Sequence, residues 1–295
     1  MPELPEVENV CLGLTQTVVG QTINRVSVRR PDVVRGSCRP GSLLRGQVIQ
    51  QIDRLGKQFA LIGRSTTNEK APVAPESPAC VCIHLGMTGS LRYYPSGDLL
   101  KPDNHTHVIW HLQDAGRLAF RDPRRFGGLW TFNSVDSLHE SRWSKLGEDA
   151  LTITPKQLHA GLSATKRALK AALLDQAVVA GLGNIYVDEL LFACGLSPLR
   201  PACSVSLNET QQMVRRIRAL LNRAIRLGGS TLRDYVDTSG RSGGFQLQHR
   251  VYGRSGEPCT TCGQELMCTT IAGRTTVYCR GCQSRHKGRQ VEGSY

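Results

Sequence analysis

The sequence lacks the segments that carry a chain to or through a membrane. Its N-terminus has no basic stretch followed by an apolar core, and no apolar run approaches the ~20 residues a spanning helix needs. A cytoplasmic protein with no membrane partner is therefore expected. It also lacks a GxxxxGK[ST] phosphate loop and a GxGxxG dinucleotide fingerprint, so no organic cofactor is expected. No internal repeat is apparent. Negative charge is short: 24 Asp and Glu stand against 37 Lys and Arg, a net charge of +13. The excess is uneven, with 16 basic and 12 acidic residues in 1–138 against 21 and 12 in 139–295. A basic C-terminal half points to nucleic acid as the partner.

Cysteine is present, but in a number that does not pair off, eleven. Four of them form Cys259-x-x-Cys262 and Cys279-x-x-Cys282 with sixteen residues between the pairs, the spacing of a four-cysteine zinc site. Two thiolates from each tight turn fill a tetrahedral ion, and the intervening segment is long enough for a β-hairpin turning at Gly273. One structural Zn2+ is the expected cofactor. Cys11, Cys38, Cys80, Cys82, Cys194, Cys203 and Cys268 are read as reduced thiols.

The chain opens Met1-Pro2-Glu3-Leu4-Pro5-Glu6. Removal of Met1 would leave Pro2 as the N-terminus, a secondary amine able to attack an aldehyde-level carbon and give an iminium ion directly. An α-amino group titrates at about 7.7–8.0, so roughly a tenth to a fifth is neutral at pH 7, whereas a lysine at ~10.4 needs strong desolvation to match it. Glu3 and Glu6 supply carboxylates from the same segment. The same residues also suit an ordinary helix start, with Pro5 near the first helical position and acids at the positive end of the dipole.

The spacing predicts a helix from Pro5 to Val19. Short β-type runs follow at Ile23–Arg29, Gln47–Leu55, Phe59–Ile62, Cys80–His84, His107–Leu112, Leu118–Phe120 and Leu129–Phe132, punctuated by Gly and Pro as in a β-sandwich or flattened barrel. Arg64–Ala79 is polar and proline-rich and reads as a loop. The second half reads as helical: Ala164–Ala180, then Ile185–Cys194 after the break at Gly181-Leu182-Gly183-Asn184. A third helix starts at the capping box Ser206/Glu209 and ends before Gly228.

Eight segments occur in one order along nearly the whole chain: MPELPEVE at 1–8, RLGKQFAL at 54–61, HLGMTGSLR at 84–92, DPRRFGG at 122–128, GLGNIYVDELLF at 181–192, GGSTLRDYV at 228–236, GGFQLQHRVYGR at 243–254 and the four-cysteine motif. In this it resembles the bacterial formamidopyrimidine-DNA glycosylases. Met-Pro-Glu-Leu, rather than Met-Pro-Glu-Gly, favours the oxidised-purine branch over the endonuclease VIII group. The resemblance implies an α+β fold: a catalytic β-sandwich with flanking helices at 1–138, a helix-two-turns-helix domain and lesion loop at 139–253, a β-hairpin zinc finger at 254–285 and a tail at 286–295. It implies a monomer acting on damaged double-stranded DNA, excising oxidised purines and cleaving the abasic site.

The resemblance also assigns roles. Pro2 is the nucleophile and Glu3 moves protons at the sugar. Glu6 is a further candidate, and Glu189 holds the N-terminal helix. Lys57, His84, Asn184 and Arg274 match phosphate-contacting positions, and Lys170 a lysine near the lesion. Met87 and Phe126 fill the gap left by the flipped base, and Arg124 bonds its widowed partner. On the residues alone Met87 and Phe126 would pass for core, Arg124 and Lys57 for surface. An oxidised-pyrimidine glycosylase of the endonuclease VIII type, or a non-enzymatic zinc-dependent DNA-binding protein, are the alternatives to be separated.

Overall fold

The computed structural model describes residues 2–36, 38–65, 78–231 and 235–283. Most of the proline-rich loop (66–77) and of the tail (284–295) lie outside the described residues. Two compact units are built, one from Met1–Leu146 with Arg223–Gln246, the other from Gly147–Asn222 with Leu247–Tyr295.

The first unit opens with α1 (Leu4–Thr17). Among the described residues nine strands follow: β1 (Ile23–Val28), β2 (Val34–Gly36), β3 (Gln47–Leu55), β4 (Gln58–Ser65), β5 (Cys80–His84), β6 (Ser90–Tyr94), β7 (Thr106–Leu112), β8 (Arg117–Arg121) and β9 (Gly128–Phe132), with a short α2 (Val135–Ser141) after them. They form one sheet in the order β1-β7-β8-β6 and another in the order β2-β9-β5-β4-β3. Alternation along each strand sends Trp110, Phe120 and Leu118 from one sheet and Phe59, Leu61, Ile83 and Leu129 from the other into a shared core, which α1 closes with Val7, Val10 and Leu14. The indole of Trp110, fully buried, donates to the Leu43 carbonyl at 3.0 Å. The sandwich is the one the strand pattern predicts. The three-residue β2 and seven-residue α2 carry too few residues to show a period, and β6, though as long as β5, was not read from the sequence.

The second unit holds α3 (Pro155–Ser163), α4 (Leu169–Leu174), α5 (Asn184–Cys194), most of α6 (Leu207–Arg226) and a hairpin of β10 (Met267–Ile271) and β11 (Arg274–Tyr278). The box at Ser206 and Glu209 closes as expected, the Ser206 N–H donating to Glu209 at 2.8 Å and Glu209 N–H to the Ser206 hydroxyl at 3.3 Å. The helix expected over Ala164–Ala180 is corrected to the six residues of α4. The backbone before it is claimed by a neighbouring segment: Leu169 N–H donates to the Arg200 carbonyl, and Ala202 and Cys203 donate to the carbonyls of Arg167 and Thr165. After it, Gln176 bridges the carbonyls of Leu174 and Leu182 and accepts from Gly181 N–H, which makes a turn of what apolar spacing read as helix.

Candidate active site and nucleic-acid interface

The N-terminal proline-glutamate pair is buried, with Glu3 at 2% exposure and Glu6 at 1%. Glu6 organises the segment. One of its oxygens accepts the Glu3 N–H at 2.8 Å, and the other accepts the Ser230 N–H at 2.7 Å. Its own carbonyl accepts the Tyr235 hydroxyl at 3.2 Å. Burial, reinforced by the Glu6 charge, pushes the Tyr235 phenol up, so it stays a donor. Gly229, at φ +79°, permits the approach: a Cβ there would lie 2.6 Å from a Glu6 oxygen. Pro2 and Glu3 therefore lead into a helix fastened to Ser230 and Tyr235.

Lys57 is half of the two-residue turn joining β3 to β4, where Leu55 faces Gln58 and Gly56 takes φ +58°. It is 9% exposed, so its stem is packed. His84 ends β5, opposite Gln58. Burial, then the charges of Arg142 and Lys57, hold its imidazole down to about 4, against an opposing pull from Asp122. At neutral pH His84 is therefore an uncharged donor rather than a cation. Since the folded value lies below the ordinary 6.5, the unfolded chain takes up the proton first. The stability this group contributes is full above pH 6.5 and is lost as pH falls from there towards 4. His84→Gln is expected to flatten the dependence of melting temperature on pH within that window. An unchanged slope in the variant would contradict the assignment.

Met87, Arg124 and Phe126 are brought together on two touching loops. Asp122, wholly buried, accepts the Thr88 hydroxyl at 2.6 Å and the Gly127 N–H at 2.8 Å, while the Thr88 oxygen accepts the Arg124 N–H at 3.3 Å. Gly86 takes φ +63°, and a Cβ on it would meet the Gly127 nitrogen at 2.4 Å. The loops so clamped leave Met87 42% and Phe126 54% exposed, with the Arg124 guanidinium 4.5 Å from the Phe126 ring centre. The core reading of Met87 and Phe126 that spacing alone suggested is thus excluded. Asp122 was missed in the sequence, although an Asp before Pro at a strand end is a turn signal.

In the second unit, Asn184 opens α5 and its side-chain amide donates to the Thr275 carbonyl at 3.0 Å. Its Oδ1 is buried with no partner among the described residues. Arg274 is exposed beside the hairpin turn at Ala272 and Gly273, both at positive φ, as Gly273 promised. Lys170 is 0% exposed, its ammonium 2.7 Å from Asp188 and 3.0 Å from the Thr275 carbonyl, so within the second unit it acts as an internal strut. The Glu189 carboxylate accepts the backbone N–H groups of Arg250, Val251 and Tyr252 at 2.9–3.0 Å, which ties α5 to the segment leading into the cysteine motif.

Cys259, Cys262, Cys279 and Cys282 converge, with all four Sγ atoms within 4.8 Å of one another. The Cys259–Cys282 and Cys262–Cys279 sulfurs lie 3.8 and 3.4 Å apart, near the ~3.8 Å edge of a tetrahedron with ~2.3 Å metal–sulfur bonds. The N–H groups of Thr261 and Cys282 point at Cys259 and Cys279 sulfurs, each at 3.4 Å, as thiolate ligands require. The donor set fits a tetrahedral thiophilic ion and leaves no open position. Cys268, exposed on β10, is outside it.

Residues 1–129 match the family model of the formamidopyrimidine-DNA glycosylase N-terminal domain, and residues 146–236 that of the H2TH domain of the same enzymes. The chain is 39% identical over 289 residues to a formamidopyrimidine-DNA glycosylase of Neisseria meningitidis, covering 96% of this chain and 100% of that one. It is 38% identical to the protein of that name from Geobacillus kaustophilus, with the same coverage. Among solved structures it is similar to the MutM (Fpg) protein of Thermus thermophilus (TM-score 0.81, 38% identity, 97% of this chain and 100% of that one). It is similar too to a Lactococcus lactis Fpg mutant bound to DNA containing Fapy-dG (TM-score 0.83, 30% identity, 96% and 100%).

Proposed function

This chain belongs to the formamidopyrimidine-DNA glycosylase family, and from that premise we propose how its own residues carry out the reaction. It is a DNA-repair enzyme, an oxidised-purine DNA glycosylase with the AP lyase activity typical of the family. Once Met1 is removed, the Pro2 nitrogen attacks C1′ of the damaged nucleotide. The C1′–N bond to the base breaks, and the base leaves with the bonding electrons and takes a proton. The sugar ring opens, with Glu3 supplying and removing protons at the ring oxygen, and an iminium forms between C1′ and Pro2. The iminium makes the C2′ proton acidic. Its loss expels the 3′ phosphate by breaking the C3′–O bond, and a second elimination releases the 5′ phosphate. Water then returns the amine.

The observation that carries this reading is the buried Pro2-Glu3 start, held by Glu6 against Ser230 and Tyr235. Removing a base from the stack costs a few kcal/mol, and exposed Met87 and Phe126 are apolar surfaces of the kind that offset it. Lys57, Asn184 and Arg274 would contact phosphates, with His84 as a neutral donor. The four cysteines would hold one structural Zn2+, which supplies fold and no chemistry. One copy of the chain suffices for the site, and a bacterial cytosol suits its reduced thiols. Duplexes carrying 8-oxoguanine, formamidopyrimidine or thymine glycol test the substrate class. Excision of the first two is expected, and preferential excision of thymine glycol would move the chain to the pyrimidine class.

Arg124 is expected to differ from the phosphate contacts. Arg124→Ala should change the preference among bases opposite the lesion, at about 1–3 kcal/mol for the favoured one, whereas Lys57→Ala should weaken all duplexes alike. Titrations against duplexes differing only in the opposite base decide it. The reverse pattern would exchange the two roles.

A further inference from the structure

The five-stranded sheet has a second face, opposite the sandwich core, on which Gln58, Cys82, Trp130 and Phe132 project and on which Leu138 of α2 and Trp143 of the turn after it pack. Arg142, the residue that ends α2, lies flat on this face. Its guanidinium carbon is 3.6 Å from the Trp130 ring centre, and its Nε donates to the Gln58 side-chain oxygen at 2.6 Å. A cleft of about 360 Å³ opens beside it, lined also by Phe132, Ser141 and Lys145.

Arg142 is half-buried, and among the described residues this cation has no carboxylate counter-charge. Burial lowers its pKa, and the Arg35 guanidinium, itself 4.9 Å from the same indole, acts in the same direction. A desolvated guanidinium without an acid is costly, and the cost is relieved by an anion entering from outside. Beyond the bonds to Gln58 and to the Cys82 sulfur, its remaining N–H donors lie in a planar fork that suits the oxygens of a phosphate. The cleft is also connected to the proposed DNA contacts. Gln58 follows Lys57 in the turn and faces His84 across the strands, and the charges of Arg142 and Lys57 both bear on that imidazole.

We propose that Arg142, held flat on Trp130 and oriented by Gln58, binds a phosphodiester of the DNA strand, extending the row of contacts that begins at Lys57. The inference rests on the reading that Lys57 faces DNA phosphates. Lys145, exposed on the rim of the same cleft, continues the row. Trp130 is a positioning residue: it removes the rotational freedom of the guanidinium before the phosphate arrives.

The test is the salt dependence of duplex binding by the full-length protein. Arg142→Met keeps an unbranched apolar chain over Trp130, so folding is retained while the charge is lost. Its affinity is expected to fall about tenfold for damaged and undamaged duplex alike, and its salt slope to fall by about one unit. Arg142→Lys should keep the slope, and Trp130→Leu should keep the slope while weakening binding. Inorganic phosphate, titrated in parallel, distinguishes a DNA strand from a free anion as the ligand. Protection of wild-type protein by phosphate at low millimolar concentration, with duplex binding unchanged in Arg142→Met, would overturn the assignment to DNA. An unchanged slope in Arg142→Met with a reduced one in Lys57→Ala would show that Arg142 only covers Trp130. Unchanged slopes in both would remove the underlying placement of DNA along with the proposal.

Discussion

Protein whose N-terminal nitrogen is blocked, by retained Met1 or by acetylation of Pro2, is expected to form no covalent adduct with damaged DNA under borohydride. Its base excision should fall by about four orders of magnitude or more, the cost of removing a nucleophile that works as part of a unit. At pH 7 an α-amine is roughly two to three orders of magnitude richer in its neutral form than a lysine with an ordinary pKa. The lysines nearest to competing for the role are poorly suited. Lys170 is fully buried in its pair with Asp188, and Lys57 is 9% exposed at a strand turn. Pro2→Gly is a weaker test, since a primary amine still forms an imine that borohydride reduces. Undiminished trapping with the terminus blocked would contradict the assignment.

Removal of the ion that the four cysteines would hold, proposed to be zinc, is expected to have the second largest effect. Structural zinc in small four-ligand sites is typically worth ~10–16 kcal/mol of local folding. Around the four sulfurs here the apolar support is limited to Phe192, Val251, Leu266 and Val277, a cluster too small to persist alone. The hairpin also anchors more than itself. The Thr275 carbonyl accepts from both Asn184 and Lys170, and Val277 N–H donates to Asp188 at 3.2 Å. Loss of the hairpin therefore leaves Lys170 and Asp188 to rearrange in a buried site and frees Asn184. Chelation or Cys279→Ser is expected to abolish specific DNA binding while the melting transition of the N-terminal sandwich persists. Unchanged DNA affinity in protein shown by elemental analysis to be metal-free would contradict it.

What was legible in the sequence followed from strong local signals. Alternation placed β3 and β5 at their observed ends, because their inward faces are continuous with one core. Two CxxC turns at metal-ligand spacing brought four sulfurs together, since a pair of turns joined by a hairpin has few other ways to pack. The errors arose where tertiary partners overrode the local pattern. Residues 165–168 have helical composition, yet their backbone bonds with 200–203. Lys170 carries a charge that sequence reasoning sends to the surface. It is buried because Asp188, eighteen residues away, lies within 2.7 Å of it, a pairing no spacing rule reveals. Glu189 was recognised in the sequence, but its bonds to three backbone N–H groups some sixty residues on were not. Met87 and Phe126 were the reverse case. Composition makes them core, and only the clamp by Asp122 and Thr88 turns them outward.

The most direct test of the central claim is to locate the covalent bond. Wild-type protein is mixed with an 8-oxoguanine duplex, reduced with borohydride, digested with protease and nuclease, and the modified peptide is sequenced by mass spectrometry. The account predicts the sugar remnant on a peptide that begins at Pro2, attached through its ring nitrogen, with Met1 absent. A remnant on Lys57 or any other lysine, or no adduct with 8-oxoguanine under conditions where thymine glycol gives one, would contradict it.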